Sequence, residues 1–325
     1  MVKLALVGAG YWGKNWYRTI CDAWKAGYRN AELIFVVDSN PDMLFDLERS
    51  PNGTIRTCVL DTLLSDPFVS DFDAAIVATP ASSHVPVVLE LLERGKHVLV
   101  EKPPALSIKG LTRLCHARKD LVLMVGLTYL HHPAVSWLAQ QIGDEIEAFG
   151  EPLYARCRWT NDGIVRDDVD VIWNVMPHPL SILLSLFGDN REVRVAGYDR
   201  KAFLKKGRND WAMVQLDIGG CQASIEVSWL DMKKRRDVWI QGEHMAVWFD
   251  EIGRNVEVYR GNMPAVSMNW SPGQGLSPLE VELRRFVGAI ENGLDCVTPI
   301  YSPVVSDMMY LLAQIGEEKW EVWNG

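Results

Sequence analysis

The feature that most constrains the fold is a glycine-rich turn near the N-terminus, Gly8-Ala9-Gly10-Tyr11-Trp12-Gly13. It follows a strand-like apolar segment, residues 3–8, and precedes residues 13–26, whose apolar side chains have helical spacing. A GxGxxG motif in this position is typical of dinucleotide-binding domains, because its glycines permit the turn, the approach of a pyrophosphate and close helix packing. The following helix N-terminus presents N–H groups to phosphates. We therefore predict a nucleotide-binding unit. The alternative is a tight strand–helix turn whose glycines serve only the packing of the helix and that binds no nucleotide.

The first third of the chain alternates strand-like and helix-like segments. Near-continuous apolar runs indicate parallel strands that are buried on both faces. These runs lie at residues 3–8, 32–38, 74–78, 97–100 and 121–125. Strands that alternate with helices predict an α/β Rossmann domain with a doubly wound parallel sheet.

The second half changes character, because apolar and polar residues alternate strictly in segments such as 214–218 and 223–229. A period of two indicates an antiparallel sheet with one solvated face. We predict an α+β domain with a large, open, mainly antiparallel sheet. The predicted division places the Rossmann domain at residues 1–126 and the second domain at 127–325; substrate binding and oligomerisation are assigned to the second domain only by the family resemblance that later segments carry. It leaves open whether the C-terminal helix packs back on the first domain.

Charge and composition exclude several classes of partner. The net charge of −9 disfavours nucleic acid, and we interpret the basic run at residues 233–236 as a solvated turn. No apolar run approaches the ~20 residues that span a bilayer, so no membrane partner is expected. The N-terminal residues do not have the pattern of a signal peptide, so we predict a cytoplasmic protein. The six cysteines contain no CxxC pair, so we predict reduced thiols.

The choice of dinucleotide depends on Asp38, which ends the second predicted strand. A carboxylate there accepts hydrogen bonds from ribose hydroxyls and repels a 2′-phosphate. The next residues, 39–42, contain no Arg or Lys to hold that phosphate. NAD is therefore favoured, and Ser39, which could still host a phosphate, leaves NADP open.

Three later segments narrow the class of protein. They are residues 78–84 (Ala-Thr-Pro-Ala-Ser-Ser-His), residues 95–104 with Glu101-Lys102-Pro103, and residues 173–178 (Trp-Asn-Val-Met-Pro-His). Together with the glycine turn, their order along the chain resembles the Gfo/Idh/MocA family of nicotinamide-dependent oxidoreductases. Segments 10–15, 125–135 and 169–173 resemble most closely its nucleotide-sugar branch, of the UDP-N-acetylglucosaminuronate 3-dehydrogenase type.

The resemblance implies a cofactor site and a subunit interface. The interface would form a homodimer or homotetramer through the open sheet of the second domain. The implied cofactor-binding residues are Gly8, Gly10, Tyr11, Trp12, Gly13, Asp38, Ser39, Thr79, Pro80, His84, Glu101, Lys102 and Pro103. For His84, a purely structural contact is an equal alternative.

Lys102 is the first candidate catalytic residue. It follows a parallel strand at the edge where ligands bind in open α/β sheets, and its ammonium can polarise a carbonyl or stabilise an alkoxide. A cis bond before Pro103 would aim it into the cleft. The alternative is a surface lysine at the end of a strand.

His178 is the second candidate, since an imidazole exchanges protons near neutral pH. It lies four residues after Asn174, which predicts one shared helix face; a histidine without catalytic duty is the alternative. In the family an Asp commonly occupies the place of Asn174, and asparagine cannot act as a base. Other candidate substrate-binding residues are Tyr129, His132, Asn161 and Arg166. No metal is expected.

These features predict hydride transfer to or from a hydroxyl-bearing carbon of a sugar or sugar-like substrate, with nucleotide-linked sugars among the candidates. Two alternatives stay open. One is a ketone or imine reductase of secondary metabolism on the same fold. The other is a dinucleotide-binding protein with impaired catalysis, suggested by Asn174.

Overall fold

The structure is a computed structural model of the chain. It describes residues 1–44, 47, 49–50, 53–54, 56–58, 71–117, 120–143, 149–163, 165–187, 191–204, 206–261, 263–269, 275–293 and 298–316. Two compact units are present: Met1–Thr128 with Leu276–Ser302, and Tyr129–Gly275 with Pro303–Gly325. The sequence-based division assigned all of 127–325 to the second domain, whereas the first unit extends to Thr128 and also includes Leu276–Ser302.

The secondary-structure elements are numbered here in chain order. The strands are β1 (Val2–Val7), β2 (Ala31–Val37), β3 (Arg49–Ser50), β4 (Gly53–Thr54), β5 (Arg56–Cys58), β6 (Ala74–Val77), β7 (His97–Glu101), β8 (Leu123–Gly126), β9 (Pro152–Asp162), β10 (Val193–Lys201), β11 (Trp211–Ile218), β12 (Cys221–Ser228), β13 (Leu230–Gly242), β14 (Met245–Asp250), β15 (Asn255–Arg260) and β16 (Met263–Asn269). The helices are α1 (Tyr11–Lys25), α2 (His84–Glu93), α3 (Ile108–Cys115), α4 (Pro133–Gly143), α5 (Val171–Val175), α6 (Pro177–Phe187), α7 (Pro278–Asn292) and α8 (Pro303–Gly316).

The first unit is built on a parallel sheet with the strand order β5-β2-β1-β6-β7-β8. The central strands are buried along their length, as the apolar runs predicted: Leu4, Leu6 and Ile76 have no exposed surface. Burial on both faces explains why these segments carry no polar alternation. The predicted α/β Rossmann architecture is confirmed.

Helix α7 belongs to this first unit although it lies far along the chain. Its apolar residues Leu283, Phe286 and Val287 share one buried cluster with Leu4 and with Trp16 of α1. Ser277 caps the helix by accepting a hydrogen bond from the Glu280 N–H (3.2 Å). The apolar face of α7 therefore completes the core over one face of the parallel sheet.

The second unit contains an eight-stranded sheet with the order β10-β11-β12-β9-β13-β14-β15-β16. Every described pairing is antiparallel except that of β12 with β9. Along β11 the apolar residues Ala212, Val214 and Leu216 are buried while Met213 and Gln215 are exposed. The predicted open, mainly antiparallel sheet is confirmed. The basic run 233–236 is part of β13 rather than a turn, so that interpretation was wrong.

The segment that carries Asn174 and His178 forms two short helices instead of one. Helix α5 ends at Val175 and α6 begins at Pro177. Proline has no N–H to continue the hydrogen-bond ladder, and its ring clashes with the preceding turn. Asn174 and His178 therefore lie on consecutive helices. No helix within the described ranges is long and apolar enough to span a membrane.

Candidate functional site

The glycine turn has the backbone geometry that the motif requires. Gly8 adopts φ +100°, and a Cβ there would lie 2.6 Å from the Ala78 carbonyl carbon. A Cβ on Gly13 would lie 1.9 Å from the Gly8 oxygen, so α1 packs too closely for any side chain. At Gly10, in contrast, a Cβ would meet no atom within 4 Å. The turn thus leaves open space beside the second glycine, where a pyrophosphate would approach.

Asp38 follows β2 directly and is hydrogen-bonded to the same turn. Its Oδ2 accepts from the Ala9 N–H (2.7 Å) and its Oδ1 from the Asn40 N–H (2.9 Å). These bonds fix the carboxylate beside the glycine turn, and each oxygen keeps a further lone pair for a ribose hydroxyl. Ser39 is exposed next to it. The open space at Gly10 and this carboxylate fit a dinucleotide.

Lys102 is placed at the carboxyl end of the parallel sheet, immediately after β7. The Lys102–Pro103 peptide bond is cis. The preceding residue, Glu101, is buried, with 5% of its surface exposed. Its Oε1 accepts from the indole N–H groups of Trp12 and of Trp16 (2.8 Å for Trp16), and its Oε2 accepts from the Lys102 backbone N–H (3.3 Å). Glu101 thus connects the lysine segment to helix α1.

His84 connects two other segments of the predicted cofactor site. Its Nδ1 lies 2.8 Å from the Pro103 carbonyl oxygen and its Nε2 lies 2.9 Å from that of Thr79. The ring is 1% exposed. A neutral imidazole donates from one nitrogen only, so both hydrogen bonds form together only in the imidazolium. These contacts favour the structural interpretation of His84, in which it holds the Thr79-Pro80 turn against the lysine segment.

Tyr129 was predicted to bind substrate, and the structure surrounds its hydroxyl with protein partners. The hydroxyl donates to Glu251 Oε2 (2.9 Å) and accepts from Arg236 Nη1 (2.9 Å). Arg236 also pairs with Glu251 at 3.0 Å. Burial raises the pKa of the Tyr129 hydroxyl, against the effect of Arg236. We name Tyr129, Arg236 and Glu251 the tyrosine triad; it holds the phenol ring in a fixed orientation.

The ring of Tyr129 in turn packs against two predicted histidines. The His178 ring lies 5.0 Å away at 70°, an edge-to-face contact, and the His132 ring lies 6.4 Å away, stacked. His132 Nδ1 accepts from the Ala134 N–H (3.1 Å), which places the proton of a neutral ring on Nε2. The pKa of His132 is lowered from its usual value by burial, although the charge of Glu251 acts in the opposite direction. The structure thus brings Tyr129, His132 and His178 together.

The other predicted substrate-binding residues lie on other segments of the second unit. Arg166 makes a bidentate pair with Asp168 (2.8 and 2.7 Å), which raises the pKa of Arg166 and lowers that of Asp168. Asn161 lies near the end of β9, and Asn174 is half-buried on α5. Arg166 therefore already has a carboxylate partner within its own loop.

Sequence reasoning missed two members of the tyrosine triad. Arg236 closes the basic run that was interpreted as a turn, and it faces Tyr129 from β13. Glu251 lies just after β14. The one signal available was the density of the basic run, since a cationic cluster within a strand pattern needs carboxylate partners.

Comparison with known proteins shows which sequences the chain is similar to. A family model described as "Oxidoreductase family, NAD-binding Rossmann fold" matches residues 2–129. Over these residues the chain is similar to the Gfo/Idh/MocA family. The chain is similar to UDP-N-acetylglucosamine 3-dehydrogenase of Acidithiobacillus ferrooxidans (33% identity over 42% of this chain and 44% of that protein). It is also similar to inositol 2-dehydrogenase of Acidothermus cellulolyticus (28% identity over 62% and 58%). These matches span about half the length of those relatives.

Solved structures share the fold over nearly the whole chain. The structure of the Acidithiobacillus ferrooxidans enzyme superposes with a TM-score of 0.77 at 21% identity, covering 97% of both chains. An oxidoreductase from Agrobacterium radiobacter, solved with NAD⁺, L-tartaric acid and magnesium, gives 0.79 at 18% identity with the same coverage. Both units therefore have the architecture of these oxidoreductases.

Proposed function

We propose that the chain is an NAD-dependent oxidoreductase that transfers a hydride to or from a hydroxyl-bearing carbon of a sugar or sugar-like substrate, nucleotide-linked in its natural form. The observation that carries the proposal is the glycine turn, with open space at Gly10 and Asp38 bonded to the Ala9 N–H. The names of the relatives, a nucleotide-sugar dehydrogenase and an inositol dehydrogenase, support the substrate class.

The dinucleotide supplies the hydride chemistry when bound. The residues of the chain have the remaining tasks. Asp38 binds ribose hydroxyls, and the turn N–H groups bind phosphates. We assign Lys102 to polarise the reacting oxygen and His178 to exchange its proton. The tyrosine triad orients His178 through the ring of Tyr129. Asn174, with no proton to exchange, binds a neighbouring hydroxyl.

The test is a substrate panel with each cofactor. UDP-sugars, free sugars, inositols and keto compounds are incubated with NAD(H) or NADP(H), and the absorbance of the reduced nicotinamide is followed. We expect turnover with a sugar or nucleotide sugar and NAD(H). Turnover with keto compounds or imines alone would instead identify the reductase alternative.

A second candidate function is favoured by Asn174, which removes a carboxylate from the proposed proton relay. In that case the protein binds the dinucleotide but transfers hydride poorly. Asn174→Asp, which adds the titrating group, would then raise turnover. An unchanged or lower rate in that variant contradicts the impaired-relay interpretation.

We propose that the protein also forms a homodimer or homotetramer through the eight-stranded sheet. Exposed apolar side chains support this proposal: Met213 on β11 is 38% exposed and Met232 on β13 is 98% exposed. Burial of such side chains against a second copy would be favourable.

A further inference from the structure

A pair of buried carboxyl groups lies in the first unit. Glu282 of α7 has no exposed surface, and Glu101 at the end of β7 is nearly as buried. Thr128, just after β8, contacts Glu282 through a hydrogen bond of 2.8 Å between Oγ1 and Oε2. The same strand end packs on Glu101, since a Cβ at Gly126 would lie 3.4 Å from the Glu101 Cδ and Oε1. Two acidic side chains from distant parts of the chain thus share one interior region.

The hydrogen bonds of the two groups differ in kind. Glu101 accepts from three N–H groups, those of Trp12, Trp16 and the Lys102 backbone. An N–H group can only donate, so these three contacts favour the ionised form of Glu101. Glu282 is hydrogen-bonded to the Thr128 hydroxyl, which can donate or accept, so that contact persists when Glu282 carries a proton.

Electrostatics leads to the same distribution of charge. Burial raises the pKa of Glu282 well above its usual value, and the neighbouring Glu101 raises it further. Burial also raises the pKa of Glu101, but the two indoles and Lys102 oppose that increase. Two like charges in one desolvated site repel strongly, so one carboxyl keeps a proton.

We propose that Glu282, held in its protonated form, is a positioning residue that fixes the ionised Glu101 between the glycine turn and Lys102. The inference rests on the proposed catalytic role of Lys102. Trp12 belongs to the glycine-rich motif. The Glu101 carboxylate is therefore hydrogen-bonded both to the proposed cofactor-binding segment and to the backbone of Lys102. The groups around the Glu101 carboxylate are Trp12 and Trp16 of α1, Lys102 after β7, Gly126 at the end of β8 and the neighbouring Glu282 of α7. Thr128 faces Glu282.

The first experiment tests the proton directly and needs no activity. Infrared spectra at neutral pH are compared between the wild type and Glu282→Gln. We expect the difference spectrum to contain the C=O stretch of a protonated carboxylic acid. The matched control is Glu280→Gln on the same helix, whose carboxyl is bonded to Arg284 (2.8 Å) and whose difference spectrum should lack that band. Absence of the band for Glu282→Gln overturns the proposal.

The second experiment tests positioning, with folding checked by circular dichroism. Glu282→Leu removes the hydrogen-bonding group and should lower kcat about tenfold or more, because a small misplacement of a catalytic group is costly. Glu282→Gln keeps a neutral hydrogen-bonding group and should recover most of that loss. Equal losses in the two variants overturn the positioning role. If no variant and no wild type transfers hydride, the proposed function fails while the infrared result still stands.

Discussion

The protonated Glu282 should make the stability of the first unit depend on pH. An unfolded glutamate has a pKa of about 4.3, and the folded value is raised by burial first and by Glu101 second. Between these two values the folded state holds one proton more than the unfolded state. The stabilisation is complete below the unfolded pKa and is lost as the pH rises toward the folded pKa. The slope is about 1.4 kcal/mol of unfolding free energy per pH unit for one proton.

Comparison with Glu282→Gln isolates this effect, because glutamine does not titrate. The free energy of unfolding of the wild type minus that of the variant should fall steadily as the pH rises above the unfolded pKa of about 4.3. Since the chain has two units, we would measure opening of the first by hydrogen exchange of the β1 amides, which lie in its sheet. Glu280→Gln should retain the wild-type slope. Equal slopes for the wild type and Glu282→Gln would refute the reasoning.

Three further predictions concern binding, catalysis and assembly. Asp38→Ala should narrow a preference for NAD(H) over NADP(H) in calorimetric titrations, and equal affinities in the wild type would contradict the role of that carboxylate. Lys102→Ala and His178→Ala should each lower turnover roughly 10²- to 10⁴-fold with NAD binding nearly intact. Asn174→Ala should mainly raise KM and keep the shape of the pH–rate profile. Near-wild-type turnover of His178→Ala would show that His178 does not exchange the proton. Light scattering at micromolar concentration should give a dimer or tetramer mass, and a monomer mass would argue against the sheet interface.

Sequence patterns predicted what is local in this structure. The glycine turn could be identified because the backbone at Gly8 and the close packing at Gly13 admit no side chain, so residue type follows from geometry. The buried parallel strands and the alternating strands each follow from a simple period. The ribose-binding role could be assigned to Asp38 because this residue directly follows β2, the strand that comes after the glycine turn and helix α1.

What could not be predicted depends on contacts between distant segments. Helix α7 has an ordinary apolar face, and nothing in its pattern tells which unit it packs on. The end of α5 was missed because the four-residue spacing from Asn174 to His178 was interpreted as one continuous helix. Pro177, which interrupts that helix, was given too little weight. A signal for Glu282 did exist: it lies three residues after Leu279 and four before Phe286, on the apolar face of α7. A charged residue in such a stripe is a buried group that needs a partner.

The placement of α7 also determines when the first unit can be completed during synthesis. Leu279, Leu283, Phe286 and Val287 belong to the same core cluster as β1 and α1, but a ribosome produces them only after almost the whole second unit. A nascent chain that ends near Thr128 therefore exposes the apolar surface that α7 covers. Contacts of such large sequence separation slow folding, and exposed apolar surface of this kind favours aggregation. Molecular chaperones that shield apolar segments would have their longest opportunity to act on this chain during that interval.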